Sequence, residues 1–567
     1  MIPDRRRFLA ACSSLGFGSS LLPGSLYTLL SQGDPLTAET VAFAEKIAGL
    51  TFTDEQRELL VEDLTEHLED YAELRALELP NSALPAFRFD PRVSGMAPPV
   101  RAGVLQWEPE PVERPTDEDA LACLPVSALA YLLKTRAVTS TDLTELYLSR
   151  LERYDKVLQA VVTLTRETAF AQAARADVEL DAGAWRGPLH GIPYGAKDLL
   201  AVRGYPTTWG ATPYQDQTID EDAEVVIRLE AAGAVLLAKL TLGALAWGDV
   251  WFGGTTRNPW NVDEGASGSS AGPGAAVAAG LVGFAIGSET LGSIVSPSTR
   301  NGVTGHRPTF GLVSRRGAMT LSWSMDKLGP MARSALDCAL ILDTIRGVDP
   351  GDPCTVAAPF PFQVSRDVKT LRVAYLQDLF EGEAYRNQQA DQATLDVLQG
   401  IGVTLTPIAL PEDLPVGAML KTLDVEAASA FDGLTREGGV DTMVRQGKNT
   451  WPHAFRAARF VPAVEFWQAS RARLLLMQRM AETLRDVDVF VSPTFRGRTL
   501  RITNLTGHPC VCVPNAFHVL EDMPDSPRRS PGSITFIGGL YQDAEVLLLA
   551  HAYQNATDFH RRRPPIR

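Results

Sequence analysis

Apolar residues recur every three or four positions at Leu59, Leu60, Leu64, Leu68, Tyr71 and Leu74, which predicts a helix over residues 53–77. Thr53-Asp54-Glu55-Gln56 stands before that stripe as a capping box, with Thr at the N-cap and Gln three residues on. A shorter helix is predicted over 38–50. From Glu78 to about Thr116 the periodicity stops. Pro80, Pro85, Pro91, Pro98, Pro99, Pro109, Pro111 and Pro115 prevent helix formation and predict an extended connector draped over a main domain. Helical spacing returns over 126–135, 140–154 and 167–181. Beyond that point short apolar runs alternate with amphipathic ones. Strands are predicted at 234–238, 282–286, 371–375, 403–408, 487–491, 510–513 and 533–537. Helices are predicted at 222–232, 335–345, 388–401, 463–485 and 544–554. Strands alternating with helices imply an α/β fold whose sheet is covered by helices on both faces. The division predicted is an N-terminal segment 1–35, a helical extension with connector 36–116, and a catalytic domain 117–567.

Composition narrows the function. The chain has 567 residues, 45% hydrophobic and 21% charged, an ordinary globular balance. Its net charge of −15 and the lack of a Lys/Arg block in the body of the chain argue against a nucleic-acid partner. The six cysteines form no CxxC pair, and the eight histidines form no HxxxH pair, so neither a disulfide framework nor a metal site is expected. Cys510 and Cys512 alternate as neighbours on one face of a strand would. No cofactor is implied.

The first residues read differently. Arg5-Arg6-Arg7-Phe8-Leu9 opens a modestly apolar stretch that runs to about Leu30, broken by Gly16, Gly18, Pro23 and Gly24. A basic region followed by a weak apolar one is the pattern of a targeting segment. It resembles a twin-arginine export signal, which implies a periplasmic or extracellular protein. Cleavage of the segment, its retention as a membrane tether, and assembly into a homodimer are left open by the sequence.

The chemistry concentrates between Gly265 and Arg315. Gly265-Ala266-Ser267-Gly268-Ser269-Ser270-Ala271-Gly272 leads into the small-residue run Ala275–Gly280, and Gly287-Ser288-Glu289-Thr290-Leu291-Gly292-Ser293-Ile294 follows. Small residues let a ligand approach the backbone closely. A loop entering a helix presents free N–H groups, the donors that a developing oxyanion requires. A Gly/Ser-rich loop could equally cradle a phosphate or form a plain turn, so the loop alone does not decide.

The joint pattern resembles the amidase signature family. Ser267-Gly268-Ser269-Ser270-Ala271-Gly272, the small-residue helix, Glu289-Thr290-Leu291-Gly292-Ser293-Ile294 and Gly305-His306-Arg307-Pro308-Thr309 follow the family's order, and the interval from Ser269 to Ser293 is the family's spacing. Upstream, Gly191-Ile192-Pro193-Tyr194-Gly195-Ala196-Lys197-Asp198 matches the segment that carries the family's lysine. Asn258-Pro259-Trp260-Asn261, Asp326-Lys327-Leu328-Gly329-Pro330 and Asn504-Leu505-Thr506-Gly507-His508-Pro509 match as well, so the resemblance runs from Leu124 to Thr557. It implies a central mixed, twisted sheet and a serine hydrolase of small-molecule amides. In that family mechanism Ser293 is the nucleophile, and Ser269, held by a cis peptide bond, relays its proton to Lys197. Backbone amides around Thr290, Leu291, Gly292 and Ser293 form the oxyanion hole. A lysine serves as base only when burial or a nearby positive field keeps it neutral.

Glu289, Leu291 and Val295 depart from the family's usual Asp, Gly and Arg. The leucine is expected to crowd the wall beside the nucleophile, and the missing arginine to remove a charged partner. Esters and carbamates pass through similar intermediates and are further candidate substrates. Two other functions fit the same motifs: the glutaminase-type subunit of a tRNA-dependent amidotransferase, and a catalytically inactive binding protein.

Overall fold

A computed structural model describes residues 36–93 and 103–566. The export-signal segment lies outside the described residues. The chain divides into two compact units. The smaller comprises, in its described part, residues 36–80 with Phe460–Pro462; the larger comprises Asn81–Arg459 and Ala463–Arg567.

In the smaller unit, helices Ala38–Ala48 and Asp54–Arg75 match the apolar spacing to within two residues at each end. Thr53 and Gln56 form the full capping box. Gly49 ends the first helix in the left-handed conformation, and Arg57 of the second pairs with Glu45 of the first at 2.7 Å.

In the larger unit an 11-stranded sheet forms the frame. In chain order its strands are β1 (Val161–Leu164), β2 (Pro193–Lys197), β3 (Val235–Leu240), β4 (Phe284–Glu289), β5 (Thr304–Arg307), β6 (Lys327–Ala332), β7 (Val373–Tyr375), β8 (Leu405–Pro407), β9 (Val489–Pro493), β10 (Cys510–Val519) and β11 (Arg529–Gly538). They lie in the order β1-β3-β2-β4-β6-β5-β10-β11-β9-β7-β8. β2 runs parallel to β3 and β4, and β7 runs parallel to β8 and β9. The other pairs are antiparallel, so the sheet is mixed.

The period of two along each strand explains why both faces are covered. On β10, Val511 and Val513 enter one apolar cluster while Cys510 and Cys512 enter another. The same alternation separates Val489 and Val491 from Phe490 on β9. The first cluster takes in helices Ala335–Ile345 and Asp543–Asn555; the second takes in Ile502 and Leu505 of helix Thr499–Thr506 and Leu476 and Met480 of helix Ala463–Thr483.

The hydrophobic pattern misses β1, β2, β5 and β6. β2 and β6 carry Pro193, Gly195, Gly329 and Pro330, residues usually depleted in strands. Here the glycines sit inside the sheet because neighbours approach too closely for larger side chains. A Cβ on Gly329 would stand 2.1 Å from the His306 carbonyl oxygen.

The proline-rich stretch runs along the larger unit through specific anchors. Asn81 exchanges two hydrogen bonds with the Thr320 backbone, Nδ2 donating to its carbonyl at 2.9 Å and Oδ1 accepting from its N–H at 2.7 Å. Phe89 meets Phe310 edge-on at 5.0 Å and lies 3.8 Å from the Arg473 guanidinium. Gln106 donates its backbone N–H to the Phe362 carbonyl at 2.8 Å.

Candidate active site

Lys197 is the last residue of β2, a strand buried along its whole length. With β3 and β4 parallel on either side, its side chain emerges at the carboxyl ends of parallel strands, a usual place for ligand sites in α/β sheets. Its Nζ lies 2.8 Å from Ser269 Oγ, 2.9 Å from Ser270 Oγ and 2.8 Å from Ser288 Oγ. Among the described residues no carboxylate stands within bonding distance of it. Burial pushes the Lys197 ammonium well below the ordinary lysine range, while the more distant charges of Asp326 and Glu289 pull the other way.

Ser269 follows Ser267, which takes a positive φ of 57°, and the Gly268–Ser269 peptide bond is cis. Ser270 opens the small-residue helix Ala271–Ala278. Its hydroxyl donates to the Ser288 carbonyl and accepts from the Ser288 N–H, each at 3.1 Å, which ties this loop to the end of β4. Its own N–H donates to the Ser293 carbonyl at 3.1 Å, so the two serine loops are held together beside both serines of interest.

Ser293 lies between β4 and helix Val295–Asn301 and is 9% exposed. The turn before it requires Gly292 at φ +87°, a conformation that side chains rarely adopt. The backbone N–H groups of Leu291, Gly292 and Ser293 make no hydrogen bond to another described residue. They remain free to serve a ligand.

The structure gives a reason for the unusual residues around this turn. Glu289 Oε2 accepts the N–H groups of Ile294 at 2.8 Å and Val295 at 3.0 Å, fastening the turn at the start of the helix. Glu289 Oε1 accepts from Arg307 at 2.8 Å and from Asn504 Nδ2 at 2.9 Å. Burial by itself would raise this carboxyl, but the Arg307 guanidinium and the N–H donors hold it at about 2. Arg307 therefore supplies a positive partner that Val295 does not. Val295 is 1% exposed in the second apolar cluster, and Leu291 packs partly buried against that same cluster. Thr290 Oγ1 donates to Asp326 Oδ1 at 2.6 Å, and Asp326 Oδ2 accepts the Leu321 and Ser322 N–H groups at 2.8 and 2.9 Å.

Ser270, Ser288, Arg307 and Asp326 belong to the constellation although the motifs alone give them no role. Their signal is adjacency: each stands inside or beside a motif. What the motifs lack is the sheet register that brings β2 and β4 together. Among the described residues no group of His, Cys, Asp and Glu could hold a metal ion, and Cys123, Cys338, Cys354, Cys510 and Cys512 are free thiols.

A family model described as Amidase matches residues 142–546. This chain belongs to the amidase signature family. The amidase is 34% identical over 477 residues to AmiD of Mycobacterium tuberculosis (strain ATCC 25618 / H37Rv), which bears the name of an amidase, with 79% of this chain and 98% of that one covered. It is 32% identical over 479 residues to the A-type component of the glutamyl-tRNA(Gln) amidotransferase of Methylococcus capsulatus, covering 77% of this chain and 98% of the relative. The solved peptide amidase from Stenotrophomonas maltophilia superposes with a TM-score of 0.67 at 29% identity, over 78% of this chain and 98% of that one. The chain is an amide-hydrolysing enzyme built on a mixed sheet flanked by helices.

Proposed function

We propose that this enzyme cleaves a small-molecule carboxylic amide through an acyl-enzyme on Ser293, with Ser269 and Lys197 moving the proton. The observation that carries the reading is a buried lysine surrounded by hydroxyl groups with no carboxylate among the described residues in contact. A serine hydroxyl is a weak nucleophile until a base takes its proton. Burial favours neutral Lys197, which can accept a proton from Ser269 Oγ as Ser269 accepts one from Ser293 Oγ. The Ser293 Oγ–C bond then forms, and negative charge develops on the carbonyl oxygen. The N–H groups of Thr290, Leu291, Gly292 and Ser293 are its donors. As the C–N bond breaks, the proton on Lys197 returns through Ser269 to the leaving nitrogen. Water, activated by the same base, releases the acid. Esters and carbamates fit the same sequence of steps.

A fluorophosphonate label located by mass spectrometry tests the assignment. Label on Ser293 in the parent and none in Ser293→Ala is the expected result; label on another residue would overturn it.

The likeness to the amidotransferase component supports a second reading, in which glutamine is the amide and a partner receives the ammonia. That reading requires ammonia release from glutamine to rise when a partner protein is added. The arginine-led N-terminus supports export instead, and fractionation of cells carrying the full chain and an Arg5→Lys/Arg6→Lys variant tests it.

A further inference from the structure

We propose that Ser82 and Leu84, from the segment that precedes the family-matched region, close one side of the acyl pocket and restrict this enzyme to amides of compact acids. The inference rests on the Ser293 reading above and names its substrate class.

A cavity of about 160 Å³ adjoins Ser288 and Thr290, and Ser82 and Leu84 are part of its wall. Thr290 links this space to the chemistry: its backbone belongs to the proposed oxyanion turn and its hydroxyl is fixed by Asp326, which also lines the cavity. With the amide carbonyl at that turn, the proposal places the substituent on its carbon in this space, which Thr290 lines. The rest of the wall is mixed: Leu199, Met319, Leu321 and Leu328 are apolar, and the carboxylates of Glu221 and Asp352 stand among them. Arg315 and Arg316 also line it, but both are engaged, Arg315 with Asp352 and Arg316 with Asp349, each at 3.1 Å. The described lining thus offers no free cation to a substrate carboxylate. A neutral acyl group fits this wall better than an anionic one.

The wall from residues 81–84 is fixed in place. Asn81 is doubly bonded to Thr320, and the next residues, Leu321 and Ser322, are bonded to the same Asp326 that holds Thr290. Leu84 is 45% exposed, an apolar side chain at the cavity's edge with room to touch a ligand. The family match begins only at residue 142, so this wall is a feature of the N-terminal extension.

Size sets the substrate class. Pockets for drug-sized ligands hold roughly 300–1,000 Å³, whereas an apolar cavity of about 150 Å³ holds one benzene ring. A benzoyl, phenylacetyl or short branched acyl group is the predicted load, and a long acyl chain would have to leave the cavity past Leu84.

The test uses the full-length enzyme with 4-nitroanilides of acetic, benzoic and octanoic acids, comparing the parent with Leu84→Trp and Leu84→Ala. A cooperative thermal transition in each variant establishes folding. Filling the wall with Trp should lower kcat/KM for the benzoyl relative to the acetyl substrate by about tenfold or more. Truncation to Ala should raise the octanoyl-to-benzoyl ratio. Unchanged acyl preferences in folded variants that still label on Ser293 would overturn the pocket assignment alone. So would a parent that prefers the octanoyl substrate. Absence of label on Ser293 in the parent would overturn the catalytic reading instead.

Discussion

Two buried lysines on neighbouring strands meet opposite surroundings. Lys239 on β3 pairs with the buried Asp198 at 2.7 Å, and its Nζ also donates to the Pro206 carbonyl at 2.9 Å and to Thr207 Oγ1 at 3.0 Å. Lys197 on β2 is equally buried, yet it meets three serine hydroxyls and, at 3.4 Å, the Ser288 carbonyl. Burial lowers the pKa of both, but at Lys239 the adjacent Asp198 carboxylate opposes that shift, while at Lys197 only more distant carboxylates do. One lysine ties neighbouring segments together as half of an ion pair. The other is kept without a counter-ion among the described residues, which suits it to act as a base. Burial of a lysine therefore does not define its task; the identity of the groups around its amine does.

The comparison is broken most strongly at the residue that Lys197 is proposed to serve. Ser293→Ala should lower kcat/KM by about 10⁴-fold or more, measured on any amide that the parent turns over. Next, Lys197→Met should lower kcat by about 10²–10⁴-fold, the usual range for a lost general base, without a loss of thermal stability. The fold no longer has to bury an amine there, so equal or higher stability at neutral pH is the expected calorimetric result. Lys239→Met should do the reverse. It leaves Asp198 buried without its cation, at a cost of about 3–5 kcal/mol in unfolding free energy, and any fall in activity should track the unfolded fraction. Ser288→Ala should have the smallest effect, about 1 kcal/mol in kcat/KM, because Lys197 keeps its contacts with Ser269 and Ser270.

Linkage sharpens the same contrast. Lys197 has a folded pKa depressed below its unfolded value of 10.5, so the unfolded chain binds more protons between the two. Its contribution to stability therefore rises with pH through that window. Denaturant unfolding of parent and Lys197→Met at stepped alkaline pH should show a smaller rise in the variant, where Lys239 still contributes its own.

Much of this was legible in the sequence where local rules and packing agree. The capping box at Thr53–Gln56 and the stripe from Leu59 to Leu74 produced the helix at Asp54–Arg75. Alternation at Cys510 and Cys512 placed both thiols in one apolar cluster. The motifs singled out Ser269, Ser293 and Lys197 as candidates, and the structure brings Lys197 and Ser269 within hydrogen-bonding distance. The strand that carries Lys197 was not legible, because Pro193 and Gly195 suppress its apolar signal and their use depends on neighbours distant in sequence. Glu289 and Val295 read as departures from the motif, the second as the loss of a charged partner. In three dimensions Arg307 and Asn504 complete the first, and an apolar cluster absorbs the second. Leu291, expected to crowd the wall beside the nucleophile, packs partly buried against that same cluster.

The most direct test of Lys197 as the base is the pH dependence of Ser293 phosphonylation in the parent and in Lys197→Met. The parent rate should rise with pH and level off at an apparent pKa below 10.5, and the rise should vanish in the variant. An identical pH profile in both proteins, with label on Ser293 in each, would contradict it.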